Sequence, residues 1–329
     1  MEISIVQGDA LGVAADVLVV KYAGALYGVD AQLAGRLAAN ALPHAPIALP
    51  APGEVTTVET HGLIGAASAA FVGVPSLHTF GYADIRAFAR RALAVLAERA
   101  PHARVLAFTL HGVGFGLDET EAFRAELAGF VEALQEGLHP AALQRIVVVD
   151  RDAGCVQRLQ RQLAEIFPHG SGVLRASTPQ LANVLQADAL RTAGADSGAK
   201  PRVFVAMPFA PEFDDRYHYG IHAAVRAAGY LCERSDQASF TGDVLDWVRR
   251  RIDTAELLVA DLTGANPNVY LEVGYAWGRK LPTVLLASQQ SDLRFDVQGQ
   301  RCLVYGNSIR TLEQRLTQEL HALSAPPRR

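Results

Sequence analysis

Short β-branched runs alternate along this chain with longer stretches in which apolar residues return every three or four positions. In the first half, ISIVQG and DVLVVKY read as strands, VDAQLAGRLAAN has helical composition, and AAFVGV is again strand-like. DIRAFARRALAVLAERA places Ile85, Phe88, Ala92, Leu93 and Leu96 on one helical stripe. ARVLAFTL, ETEAFRAELAGFVEALQEG and QRIVVVD then predict a strand, a helix closed by glycine, and a strand. This is βα alternation around a mostly buried sheet.

Residues 168–201 break the rhythm. PHGSGVLRASTPQ and RTAGADSGAKPR are rich in turn formers, with LANVLQADALRTA between them as a short helix. The pattern divides the chain into a domain at 1–167, a linker at 168–201 and a second domain at 202–329. In the second domain RVFVAM is a strand, and DDRYHYGIHAAVRAAG is a helix with Tyr217, Ile221, Ala224, Val225 and Ala228 on one stripe. YLCER, ELLVAD, TVLLA and RCLVYG are further strands. TGDVLDWVRRRIDTA, NVYLEVGYAWGRK and RTLEQRLTQELHAL are further helices, the first with Thr241 as N-cap and Asp243 in its first turn. The order predicts an open parallel sheet covered on both faces, so the fold class is α/β with two domains.

Composition narrows the function classes. The 329 residues are half hydrophobic and 19% charged, with material for two cores. The net charge of −4 gives no basic field, so no nucleic-acid partner is expected, and RAFARR and WVRRR read as solvated helix faces. Three distant cysteines, Cys155, Cys232 and Cys302, form neither a metal spacing nor a disulfide framework, and a reducing cytoplasm is the simplest setting. The opening residues do not read as a signal peptide, and no apolar run reaches the ~20 residues that span a bilayer. Neither a cofactor nor a metal is called for; His218 and His222 have i,i+4 spacing but no third ligand near them in sequence.

Ligands of open parallel sheets sit at the carboxyl ends of the strands. The loops predicted there carry the chemistry: MPFAPEFDD, SDQASFTGD and DLTGANPN. Phe209, Asp214, Asp236, Asp243, Asp261, Asn266, Asn268 and Glu272 could therefore line one crevice. Each has a plainer reading. Glu272 could be an acid favouring its helix N-terminus, Asp261 a strand-end turn former, and Asp243 helix-start electrostatics. Asn266 and Asn268 flank Pro267, which suits a turn. In the first half, Gly112, Gly114 and Gly116 of HGVGFG lie between a strand and a helix. They could free backbone N–H groups for a phosphate, or could simply supply positive φ.

Two resemblances follow from these residues. The first half, through VQGDA, ADVLVV and HGVGFG, resembles the macro-domain type of fold, including the macro-like N-terminal domain of leucine aminopeptidases. Macro domains that hydrolyse ADP-ribosyl groups carry Asn-rich residues after the second strand; VVKYAG, with Lys21 and Tyr22, departs from that pattern. Over residues 202–323, VFVAMPF and especially ADLTGANPNVYLEVGYAWG resemble the nucleoside 2-deoxyribosyltransferase-like group, whose relatives shade into TIR-like NAD-cleaving domains.

This second resemblance implies that Glu272 is a nucleophile at the anomeric carbon and that Asp261 lies near the base. It implies that Met207 and Phe209 enclose the base and that Asn266 stands where the family has an acid holding sugar hydroxyls. Asn268 and Asp243 join the substrate-binding set. An asparagine supplies no charge, so the position suits ribose as well as deoxyribose. The expected activity is cleavage of an N-glycosidic bond in a nucleoside, nucleotide or NAD, by hydrolysis or transfer. The arrangement expected is a homo-oligomer whose first domain regulates the second, as in bacterial antiphage effectors. The alternative is a nucleotide-sensing protein that binds without cleaving.

Overall fold

The computed structural model describes residues 1–39, 48–167, 173–175, 188–234 and 244–324. The chain divides into two compact units. One is residues 1–113 with 119–198, the other 114–118 with 199–329.

The first unit holds β1 (Glu2–Gln7), β2 (Ala15–Tyr22), α1 (Val29–Ala39), β3 (Val55–Glu59), β4 (Ala66–Gly73), α2 (Tyr82–Arg99) and β5 (Val105–Phe108). It continues with α3 (Glu119–Gln135), β6 (Arg145–Asp150), α4 (Ala153–Ile166), β7 (Val173–Arg175) and α5 (Asp188–Thr192). Its seven-stranded sheet runs β3-β4-β2-β5-β6-β1-β7. The inner strands pair in parallel, while β3 on β4 and β7 on β1 are antiparallel edges. The strand β3, VTTVE, and the helix α4 are absent from the sequence reading. In β3 only Val55 is buried, and half-buried Thr56 and Val58 alternate with exposed Thr57 and Glu59, as on an edge strand. Helix α4 begins on Asp152, whose carboxylate accepts from Gly154 N at 3.1 Å and Cys155 N at 2.8 Å.

The second unit holds β8 (Arg202–Ala206), a π-helical turn (Arg216–His222) running into α6 (Ala223–Ala227), β9 (Leu231–Arg234), α7 (Val244–Thr254) and β10 (Leu257–Asp261). Then follow α8 (Pro267–Gly278), β11 (Thr283–Ala287), β12 (Cys302–Val304) and α9 (Ile309–Ser324). The five strands are all parallel, in the order β12-β11-β10-β8-β9. Strand parity sorts the two cores. Val203, Val205 and Met207 with Leu257 and Val259 pack toward the π-turn, α6 and α9. Phe204 and Ala206 with Leu258 and Ala260 pack toward α7 and α8. The sequence predicts one helix where the π-turn and α6 lie. Gly220 explains part of the difference: a Cβ there would stand 2.7 Å from Leu312 Cδ2, so a residue without a side chain lets α9 close on the widened turn.

Candidate functional site

In the second sheet the chain runs from β8 outward to β9, then crosses back to β10 on the other side of β8. The strand order therefore reverses between β8 and β10, and in open α/β sheets the crevice for ligands opens at the carboxyl ends of such a pair. Met207 and Phe209 follow β8, Arg234 ends β9, and Asp261 ends β10.

Glu272 is carried by α8, which starts sharply. Asn266 is its N-cap, with Oδ1 accepting from Asn268 N at 2.9 Å, and Pro267 is the first helical residue. Val269, Val273 and Ala276 face the sheet and are buried. Glu272 stands at the flank of that stripe and is half-buried. No hydrogen bond or ion pair joins its carboxyl to another described residue, and burial pushes its pKa up to about 7. Its neighbour Leu271 is 57% exposed and does not shield it from water.

Asp261 sits differently. It is 0% exposed and follows the parity of Leu257 and Val259, on the opposite face of the sheet from α8. Thr263 donates to its Oδ1 through N at 3.0 Å and Oγ1 at 2.6 Å, and Tyr305 OH donates to Oδ2 at 3.0 Å. Ser288 N donates to Thr263 Oγ1 at 2.9 Å, so the network joins the ends of β10, β11 and β12. Burial raises the Asp261 pKa, against the lowering effect of the Thr263 and Tyr305 hydrogen bonds and of Arg216. Asp261 thus has the environment of a buried turn-holding carboxylate. Neither partner stands out in the sequence as a site residue: Thr263 lies two positions on, within the DLTGANPN loop, whereas only the fold brings Tyr305 to Asp261.

Met207 is buried in the core. Arg234 reaches across it, with Nη1 3.8 Å from Met207 Sδ and Cζ 3.8 Å from the Tyr217 ring centroid. Phe209 is 41% exposed, and Arg234 Cζ lies over its ring, 5.7 Å from the centroid. Met207 and Asp261 therefore belong to one face of the sheet, while Glu272 is carried by α8 on the other; Asn268 is exposed. Asp236, Thr241 and Asp243 lie outside the described residues. His222 Nε2 is 3.3 Å from Asp118 Oδ2, and Arg226 Nη1 is 3.3 Å from Asp118 Oδ1, so His222 faces a carboxylate rather than a metal. Among the described residues no group of three or more His, Cys, Asp or Glu could hold a metal ion. Asp214 and Asp215 are exposed at the start of the π-turn.

Gly112 and Gly116 take φ of 89° and 87°, which meets the need for positive φ directly. A Cβ on Gly116 would lie 2.6 Å from Trp247 Cη2, so an indole fills that space, whereas nothing lies within 4 Å of one on Gly114. In the first unit Lys21, near the end of β2, is 4% exposed with Nζ 3.9 Å from Asp30 Oδ2. Burial lowers the Lys21 pKa and raises that of Asp30. His111, also buried, has no hydrogen-bond partner at Nε2, and burial with the Lys21 charge holds it neutral.

No family model matches the chain, and no curated protein sequence matches it. Several solved structures align with it at low identity. A Trypanosoma brucei macrodomain in complex with ADP is 16% identical over 49% of this chain and 68% of that one, with a TM-score of 0.38. An Oceanobacillus iheyensis macrodomain variant with ADPR is 19% identical over 50% and 92%, with a TM-score of 0.37. The bottromycin maturation enzyme BotP is 16% identical over 95% and 91%, with a TM-score of 0.29. The macrodomain likenesses thus extend over about half of the chain. No helix among the described residues is long and apolar enough to cross a membrane.

Proposed function

We propose that the second unit cleaves N-glycosidic bonds of nucleosides, nucleotides or NAD, with Glu272 as the nucleophile. The observation that carries this reading is the state of Glu272. It is a half-buried carboxyl without a described partner, on a helix that starts beside the β8/β10 reversal, and burial raises its pKa to about 7. An acid there only to favour a helix N-terminus would sit in the first turn, and Glu272 lies beyond the first turn of α8.

In the proposed step a Glu272 Oε attacks the anomeric carbon. The carbon–nitrogen bond breaks and its electron pair leaves with the base; a nucleobase takes up a proton from solvent, whereas the cationic nicotinamide of NAD leaves neutral without one. Water then attacks the same carbon of the glycosyl ester, a proton passes to solvent, and the carboxylate is restored. A desolvated carboxylate also stabilises the oxocarbenium-like charge more strongly than one in water. Asp261 acts as a positioning residue that fixes Tyr305 and Thr263 at the crevice. Phe209 stacks on the base over the Met207 wall. Asn266 commits its carbonyl oxygen to the helix cap, so its amide N–H₂ is the group that meets a sugar hydroxyl.

The first unit is proposed as a macro-like regulatory domain for a nucleotide-like ligand, in a cytoplasmic homo-oligomer of the antiphage-effector kind; the sequence resemblances support the domain, its ligand, the oligomer and the effector role, and the free cysteines support the cytoplasm. The test of the central reading is incubation of the full chain with nucleosides, nucleotides and NAD, following free base by chromatography. Release by wild type and not by Glu272→Ala is expected; equal release by both would remove Glu272 from the role.

A further inference from the structure

We infer that the crevice of the second unit takes a substrate bearing a phosphate, and that Arg216 receives that phosphate. The inference rests on the proposed N-glycosidic reading and names its substrate class. Arg216 is the first residue of the π-helical turn that follows β8, and its side chain meets Tyr305 and Asn307, which follow β12 at the carboxyl end of the sheet. Widened turns of this kind are rare and concentrate at functional sites.

Its guanidinium is held rather than free to roam. Cζ lies 4.9 Å from the Phe213 ring centroid and 6.0 Å from that of Tyr305, and Nη2 donates to Asn307 Oδ1 at 3.1 Å. The residue is half-buried, yet it forms no ion pair with a carboxylate among the described residues. Asp214 and Asp215 precede it and are exposed. Asp261 is close enough for Arg216 to lower its pKa, but Thr263 and Tyr305 already cover the Asp261 oxygens with hydrogen bonds. A guanidinium carries five N–H donors, and a neutral amide oxygen engages one of them here. What remains is a preoriented cation with spare donors, backed by aromatic faces, at the carboxyl end of the parallel sheet. That arrangement suits the bidentate capture of a phosphate oxygen pair and has no evident use for a neutral nucleoside.

The phosphate can be the 5′-monophosphate of a nucleotide or the pyrophosphate of a dinucleotide, and the test separates them. Binding of a nucleoside, its 5′-monophosphate, NAD and inorganic phosphate to the full chain is measured by calorimetry, for wild type, Arg216→Met and Arg216→Lys. The monophosphate or NAD is expected to bind wild type roughly tenfold to hundredfold more tightly than the nucleoside, the scale of a charge-assisted pair. Arg216→Met abolishes that preference and Arg216→Lys retains part of it. Equal affinity of wild type for nucleoside and both phosphorylated ligands overturns the inference, as does a preference that survives Arg216→Met. The wild-type comparison decides the matter even if a variant does not fold. Base release from unphosphorylated nucleosides without any phosphate preference sinks this inference and leaves the glycosidase reading standing; tight nucleotide binding with no base release does the reverse.

Discussion

Glu126 gives the sharpest stability prediction in the molecule. It lies in the middle of α3, with Ala122, Phe123 and Phe130 one turn away along the same side, all buried. The side chain is fully buried, and neither Oε1 nor Oε2 has a hydrogen-bond partner. Burial alone pushes its carboxyl from the ordinary 4.5 up to about 8. Between those two values the folded unit keeps a proton that the unfolded chain has lost. Folding stability must therefore fall as pH rises through this window, and must level off above it. At ~1.36 kcal/mol per pH unit, the window from 4.5 to about 8 amounts to about 5 kcal/mol, an upper figure because local relaxation and water entry reduce it.

Glu126→Gln keeps the shape and removes the titration. Its own unpartnered amide carries a cost that does not vary with pH. The assay is urea unfolding of wild type and variant at half-unit steps from pH 5 to 8.5, read on the transition that the substitution moves, since a chain of two units need not unfold in one step. The variant should gain on wild type by several kcal/mol across the series. Parallel curves, with a constant gap from pH 5 to 8.5, would refute the reasoning.

Three further outcomes follow from the second unit. If Glu272 attacks as a carboxylate with a pKa of about 7, kcat/KM for base release rises about tenfold per pH unit below 7 and flattens above it; a falling limb there would mark a general acid instead. Tyr305→Phe removes the hydroxyl that donates to Asp261 Oδ2 and leaves a buried oxygen short of a partner, so unfolding should cost about 1–3 kcal/mol less in the variant, measured by chemical denaturation. Gly116→Ala sets a side chain at φ 87° and 2.6 Å from Trp247, so it should destabilise by about 1–3 kcal/mol and alter the Trp247 fluorescence, while Gly114→Ala, with open space, should change little.

Much of the architecture is legible in the sequence because both sheets have long buried strands. LLVAD and TVLLA are runs that only a sheet covered on both faces makes sense of, and they occupy β10 and β11. The short edge strand β3 carries Thr and Glu outward and gives little contrast against a loop. Helix α4 is amphipathic and capped by Asp152, so its signal was present, but it lies where the chain was read as running into a linker. The π-turn has no signature apart from a glycine under α9. At the site, NVYLEVGYAWGRK predicts the helix that carries Glu272, while its cap on Asn266 falls where the sequence suggests a turn. The separation of Asp261 from Glu272 by the sheet could not be read so easily. It depends on strand parity at a residue that ends its strand, and on partners 42 and 44 positions away in the cases of Thr263 and Asp261 with Tyr305.

The central claim is that Glu272 forms a bond to the sugar. It is tested most directly by mixing enzyme and nucleotide in equal amounts, quenching within one turnover, and mapping the mass of the peptide that carries residue 272. The account predicts a peptide heavier by one glycosyl group, formed in step with free base and missing in Glu272→Gln. Free base released at the same rate with residue 272 unmodified, or with the variant fully active, would contradict it.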